Sequence, residues 1–204
     1  MPETDPDIDD RDTDGDTDNA ATDNALVERY RRGDTAAMDA LLARWDAPVR
    51  RMLGRLSGQA ADADDLRQEV FLRVVRAAER YRPQWAFSTL LYRIVLSATR
   101  DAARRRKRQM PVRVDENCQP AASPTPAQQV EREEALRLVS AALAALPDEL
   151  REPLVLRHYG ELTFQQTAEV LGLPPSTVKS RVAAALGRLR GELRRYGLND
   201  FQTT

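Results

Sequence analysis

The sequence predicts an all-α protein: two small helical domains joined by a flexible, Pro-containing linker, behind a disordered acidic N-terminal tail. Three observations predict it. Apolar residues recur at steps of three and four in several separate stretches. No stretch shows the strict alternation of a half-buried strand. Two segments, residues 1–23 and 109–129, hold few large apolar side chains.

The acidic tail spans residues 1–23, and its first ~22 residues cannot bury enough apolar surface to offset the entropy of ordering. The first domain spans residues 24–108. Its first stripe is Met38, Leu41, Leu42, Trp45, Val49, Met52, Leu53 and Leu56, with Pro48 inside it, where a kink or interruption is expected. A second stripe runs through Leu66, Val70, Val74 and Ala78 and ends before Pro83. A third runs through Phe87, Leu90, Leu91, Ile94, Val95 and Ala98 into a basic end. The linker, residues 109–129, carries Pro111, Pro120, Pro124 and Pro126, and Cys118 within it reads as an incidental thiol.

The second domain spans residues 130–197, followed by a short C-terminal tail, 198–204. Thr125-Pro126-Ala127-Gln128 has a capping-box pattern at its entrance, with Leu136, Val139, Leu143 and Leu146 as the next stripe. Pro147 and Gly160 bracket a short helix, Asp148–Tyr159. Thr163-Phe164-Gln165-Gln166 repeats the capping box and opens a helix to Leu171. After the Gly172-Leu173-Pro174 turn, a last helix carries Val178, Val182, Ala185 and Leu189 inward.

Charge divides the 204-residue chain unevenly. Residues 1–24 hold nine Asp, Glu3 and only Arg11, a net −9, so a total of −1 leaves +8 on the remainder. An acidic tail on a basic body suggests a polyanion partner, although a merely solubilising tail has the same composition. No apolar run reaches the ~18–20 residues of a membrane helix, so no membrane insertion is expected. The acidic N-terminus is unlike a secretory signal, and a cytoplasmic location follows. One Cys and one His argue against disulfide frameworks and zinc sites. With no nucleophile–base pair, metal cluster or phosphate-cradling Gly loop, the chain reads as a non-enzyme, with no catalytic residues, metal or cofactor.

Three stretches carry recognition chemistry. Two helices joined by the Gly172 turn form a helix-turn-helix, and Ser176, Thr177, Lys179, Ser180 and Arg181 point outward at the start of the second. Short hydroxyls and long bases there reach base edges and phosphates, although a helical hairpin with a solvated polar face has the same pattern. The run Arg104, Arg105, Arg106, Lys107, Arg108 can neutralise phosphates, and the upstream aromatics Tyr81, Trp85, Phe87 and Tyr92 offer faces for unpaired bases. Core roles for those rings stand as the alternative. On a helix through residues 64–73, Asp65, Gln68, Glu69 and Leu72 share an outward face. An exposed Leu among carboxylates suits a protein contact better than DNA, and an ordinary solvated face is the alternative.

The segments Asp65-Leu66-Arg67-Gln68-Glu69-Val70-Phe71-Leu72-Arg73, Phe87–Ile94, Leu146–Arg157, Ala168–Gly172 and Thr177–Arg181 occur in order and together resemble the sigma-70 family of sigma factors, in its extracytoplasmic-function (ECF) group. The resemblance covers residues 25–108 and 130–196. It implies a protein that binds core RNA polymerase and directs promoter recognition and opening, with no catalysis of its own. Asp65, Gln68, Glu69 and Leu72 would hold the β′ clamp helices of the polymerase, and the second domain would meet its β flap. Trp85, Phe87, Tyr92, Ser97, Arg104, Arg105, Arg106 and Arg108 would read and open the −10 element of promoter DNA. Ser176, Thr177, Lys179, Ser180 and Arg181 would read the −35 element. An anti-sigma factor is a further expected partner.

The chain departs from that pattern at several places. Leu96 and Ser97 stand where the family usually has Arg-Asn, and Leu90 replaces the usual Trp. Val182–Ala185 replaces bases, which predicts fewer phosphate contacts. The rival readings are a stand-alone helix-turn-helix regulator, which needs no Asp65–Leu72 face, and a pure interaction protein, which needs no basic aromatic segment.

Overall fold

The computed structural model describes residues 15–57, 63–82, 86–109 and 137–195. Among these residues all regular structure is helical: α1 (Gly15–Arg31), α2 (Thr35–Ser57), α3 (Ala63–Ala78), α4 (Phe87–Gln109), α5 (137–144), α6 (Asp148–Tyr159), α7 (Phe164–Leu171) and α8 (Pro175–Arg195).

The four N-terminal helices form one bundle, with α2 packed on α1, α3 and α4. The expected stripes supply its core. Leu41, Val49, Met52, Leu53, Val70, Val74, Ala78 and Val95 are fully buried, and Leu66 nearly so. Deep burial of such side chains contributes roughly 1.5–3 kcal/mol each. An aromatic group closes one end. The Trp45 ring meets Tyr92 edge-on at 5.8 Å and lies 6.2 Å from Phe87, and Tyr81 meets Phe87 at 6.3 Å. Across helices, Arg67 on α3 pairs with Asp46 on α2 at 2.7 Å.

Two expectations for this bundle are revised. Helix α2 runs without a break through Pro48, because its buried stripe is anchored on both sides of the proline. Helix α1 starts at Gly15, inside the stretch expected to be tail. Asp23 is buried there. It accepts a 2.9 Å hydrogen bond from the Trp45 indole and pairs with Arg44, while Val27 packs into the core. Once that turn is anchored, each further residue adds a helical bond without new nucleation.

The C-terminal helices build a second core from Leu143, Leu146, Leu150, Leu154, Phe164, Ala168, Val178, Val182 and Ala185. The capping box at Thr163 is formed: the Gln166 backbone N–H donates to Thr163 Oγ1 at 3.1 Å, and the Thr163 N–H donates to Gln166 Oε1 at 2.8 Å. Gly172 ends α7 in the left-handed conformation, φ 66°, which a side chain would strain. Gly160 ends α6 for a different reason, since a Cβ there would lie 2.6 Å from the Leu156 carbonyl oxygen.

The two domains are not apart. Val155, Leu156, Leu162 and Val170 of the second domain belong to the buried cluster of the first. Helix α6 packs on α2, and α7 on α4. The separate domains expected from the sequence are therefore docked. Residues 153–156 are apolar around the whole helix, and a helix apolar all round is buried on more than one side. Trp85, Cys118, the capping box at Thr125 and nearly all of the linker lie outside the described residues.

Candidate functional site

Asp65, Gln68, Glu69 and Leu72 lie on α3 as the spacing requires. Leu66, Val70 and Val74 point into the core. Asp65 and Gln68 are exposed, and Glu69 is half-buried. Leu72 is 58% exposed and is the large apolar side chain left in solvent among the described residues. Isolating such a residue among polar neighbours costs apolar hydration unless a partner covers it.

Glu69 is bound on both oxygens. Arg73 donates to Oε1 at 2.5 Å, and Arg105 on α4 donates to Oε2 at 2.9 Å. Partial burial alone would raise the Glu69 carboxyl, but hydrogen bonds and charge from Arg105 and Arg73 outweigh it and hold the group below its ordinary value. Arg73 also reaches Asp101 at 3.0 Å and Ser97 Oγ at 3.3 Å on α4. The α3 set and the basic end of α4 are thus one electrostatic network. Arg73 and Asp101, its connecting residues, are absent from the sequence assignment. The i, i+4 spacing from Glu69 to Arg73 was a legible signal for half of it.

The basic aromatic set is divided by the structure. Phe87 and Tyr92 are 1% and 3% exposed. Their assignment to a base-stacking surface gives way to a core role, because their faces are covered by Trp45 and Tyr81. Leu96 is buried in the same core, whereas Ser97 is exposed. Arg104 and Arg108 are exposed, with Arg104 4.0 Å from Asp101. Arg105 is engaged by Glu69, and Arg106 donates to the Ser57 carbonyl at 3.3 Å. Residues 93, 97, 100, 104 and 108 share one exposed stripe of α4 at steps of four and three. The sequence assignment missed Arg93 and Arg100 on that stripe. Beside it, Arg80, Arg82, Arg93, Tyr81, Thr89 and Leu90 line a depression of about 320 Å3.

The third set stands at the start of α8. Ser176, Lys179 and Ser180 are exposed, and Thr177 and Arg181 are half-exposed. Val178 and Val182 on the opposite side are buried and fix the rotation of the helix. Lys179 lies over the Phe164 ring at 5.2 Å, and Ser180 Oγ donates to the Thr177 carbonyl at 2.9 Å. The Ser176 and Ser180 hydroxyls and the Lys179 and Arg181 cations remain on the outer face, with Thr177 beside them. A helix presented this way in a helix-turn-helix is suited to the major groove.

Among the described residues, no group of His, Cys, Asp or Glu is arranged to hold a metal ion, and no helix is long and apolar enough to cross a membrane. Among the described residues, fold and surfaces together define an all-helical protein with an exposed leucine set among polar side chains on α3, a cationic helix and a helix-turn-helix. Two family profiles match the chain: "Sigma-70 region 2" over residues 41–109 and "Sigma-70, region 4" over residues 136–189. The ECF RNA polymerase sigma factor SigE of Mycolicibacterium smegmatis is 34% identical over 84% of this chain and 68% of its own length. RNA polymerase sigma-H factor of Pseudomonas aeruginosa is 31% identical over 80% of this chain and 89% of its own. The fold matches CnrH, solved with the cytosolic domain of CnrY, at TM-score 0.65 and 23% identity, covering 85% of this chain and 98% of CnrH. It also matches the sigma factor RpoE of Bartonella quintana, solved with the anti-sigma factor NepR, at TM-score 0.64 and 22% identity, covering 76% and 95%. The chain belongs to the sigma-70 family, in its ECF group.

Proposed function

We propose that the chain binds core RNA polymerase through the α3 face and reads promoter DNA at two places, as an ECF-type sigma factor. Asp65, Gln68, Glu69 and Leu72 form the polymerase contact, with Leu72 as the desolvated centre and the polar residues as its rim. The α4 stripe, with Ser97, Arg104 and Arg108, meets the −10 element. Arg105 and Arg106 complete the same surface by holding α4 against α3 and α2. Ser176, Thr177, Lys179, Ser180 and Arg181 meet the −35 element. Residues 24–108 and 130–197 act as the two functional units, with residues 109–129 between them.

The observation that carries this reading is the Glu69–Arg105 pair, which couples a protein-facing helix directly to a cation-bearing one. A stand-alone regulator requires only α7 and α8. Non-template bases and phosphates, rather than a chemical substrate, are the ligands, so the chain directs initiation and leaves catalysis to the polymerase. An anti-sigma protein is a fitting regulator, since both fold neighbours were solved with partners, one of them named as an anti-sigma factor. The cytoplasm is the matching location, because that is where polymerase and promoter DNA meet.

Transcription in vitro tests the reading. Core polymerase plus this chain should initiate from a subset of promoters that core alone does not use. Binding to promoter DNA without any polymerase-dependent initiation would return the stand-alone regulator.

A further inference from the structure

Helix α1 grips the entrance to α4 with two consecutive polar side chains. Phe87 is the first residue of α4. Two rings pack on it from different places in the chain: Trp45 of α2 at 6.2 Å, and Tyr81, just past the end of α3, at 6.3 Å. Each of these two rings carries a polar hydrogen, and a buried ring donor usually finds an acceptor. Trp45 Nε1 donates to Asp23 Oδ2 at 2.9 Å, and the Tyr81 hydroxyl donates to Asn24 Oδ1 at 2.9 Å. Adjacent residues of α1 thus hold both rings that flank the first side chain of the cation-bearing helix.

The turn of α1 that supplies these acceptors is itself fixed. Asp23 is buried, its other oxygen faces Arg44 at 3.4 Å, and Val27, one turn on, packs into the core. Helix α1 lies along α2 and also touches α4. Burial, and after it the Asp23 charge, push the Tyr81 hydroxyl above its ordinary value, so it stays protonated and keeps donating. Tyr81 links this anchor to the surface. It is 8% exposed, whereas its sequence neighbours Arg80 and Arg82 are exposed. Holding the tyrosine inward therefore turns both arginines outward. Together with Arg93 they rim the depression of about 320 Å3, and Tyr81 forms part of its wall.

We propose that Asn24 is a positioning residue for the opened −10 element: it acts through Tyr81 to set the start of α4 and the arginines before it, and touches no DNA itself. Asp23 and Trp45 fix the turn of α1 that carries it. This rests on the functional reading above and extends the −10 surface to a helix on the far side of the aromatic group. An unpaired strand is bound by rings and cations, and a surface that must first order itself loses affinity by the entropy of that ordering. The Tyr81–Asn24 bond orders the surface in advance. The duplex element read by α8 gains nothing from it, because α8 takes its position from buried Val178 and Val182. A bond that only stabilised the bundle would lower the melting temperature without separating the two DNA elements.

The test uses holoenzyme assembled from core polymerase and the full chain. Two fluorescent probes come from one promoter that the wild-type holoenzyme uses in vitro: a non-template single strand carrying the −10 element, and a duplex carrying only the −35 element. Tyr81→Phe keeps the ring and removes the donor, and Asn24→Ala removes the acceptor. Each should weaken single-strand binding about fivefold, the effect of one neutral hydrogen bond, and leave duplex binding unchanged. The double variant should also lose about fivefold rather than about 25-fold, because both changes break the same bond. Thermal melting of each chain checks folding, and where Asn24→Ala does not fold, Tyr81→Phe carries the comparison of the two probes alone. Wild-type strand affinity in both single variants, equal losses on both probes, or losses that multiply in the double variant overturn the proposal. None of these results touches the functional reading. That reading fails, and the proposal with it, if the wild-type chain gives core polymerase no promoter to use and no affinity for promoter DNA.

Discussion

The two proposed DNA surfaces are built in opposite ways. On α4 four of the cations are already partnered: Arg105 by Glu69, Arg100 by Glu152, Arg93 by a helix end and Arg106 by the Ser57 carbonyl. On α8 the outward set is bare of carboxylates, and its position comes from buried Val178 and Val182 behind it and the capped α7 beside it. Changing one of these four α4 residues therefore releases a partner on another helix, whereas on α8 Ser180 bonds within its own helix and Lys179 lies over the Phe164 ring of α7. Coupled effects are expected in the first domain and local ones in the second.

The largest expected effect tests how far the domains depend on each other. Phe164 is 4% exposed in the second core, and Arg157 and Lys179 lie over its ring at 5.1 and 5.2 Å. Phe164→Ala should cost about 3–5 kcal/mol. Denaturation should show the second domain melting first and −35 binding lost, with core polymerase binding retained. Loss of both activities in one transition would show that docking makes the two cores a single cooperative unit.

Next in size is the polymerase contact. Leu72→Ala should weaken core binding by about 2 kcal/mol, roughly 30-fold, as for a central interface residue. Its helicity should stay unchanged, because the side chain supports nothing inside the protein. Glu69→Lys should weaken binding too and also lower the melting temperature, because Arg73 and Arg105 lose their shared acceptor. Equal melting temperatures for the two variants would remove the contrast between a free-standing contact and a networked one. Co-elution of both with core polymerase at wild-type strength would reject the α3 assignment.

The α8 surface should respond position by position. Ser176 and Ser180 replacements should change promoter preference by about 1–3 kcal/mol per lost base contact. Arg181→Ala should weaken all sequences alike and reduce the salt slope by about one unit, as for a phosphate contact. Unchanged promoter selection with Ser176, Lys179 and Ser180 all replaced would refute the recognition helix.

Much of this was legible in the sequence. The stripes Leu66–Val70–Val74 and Val178–Val182–Ala185, the Thr163 box and the α6 limits are local patterns, and local patterns are what periodicity and capping report. The exposure of Leu72 follows from its spacing relative to Leu66, Val70 and Val74. What was not legible is long-range. Phe87 heads an apolar stripe and Tyr92 follows it, yet both also have the composition of a stacking surface, and the packing of Trp45 and Tyr81 against them decides for the core. Arg100 reads as one more cation in a basic helix until Glu152, 52 residues away, is brought against it. Asp23 sits in an acidic segment and becomes structural only because an indole N–H needs an acceptor.

The smallest expected effect concerns acid. Glu69 is held below its ordinary value of 4.5 by Arg105 and Arg73, against the upward push of partial burial. Near and just below that value the unfolded chain therefore binds more protons at this position than the folded one. The stabilisation is fully present above the unfolded value and is lost as pH falls through the lower folded value. For a partly exposed network it should amount to less than about 1 kcal/mol. Urea unfolding of wild type and Glu69→Gln should therefore differ most near neutral pH and converge as the medium becomes acidic, with salt narrowing the gap at neutral pH. A Glu69→Gln gap that is flat with pH would mean that Arg73 and Arg105 hold α3 to α4 without help from the Glu69 charge, and the electrostatic contrast between the two surfaces would be lost.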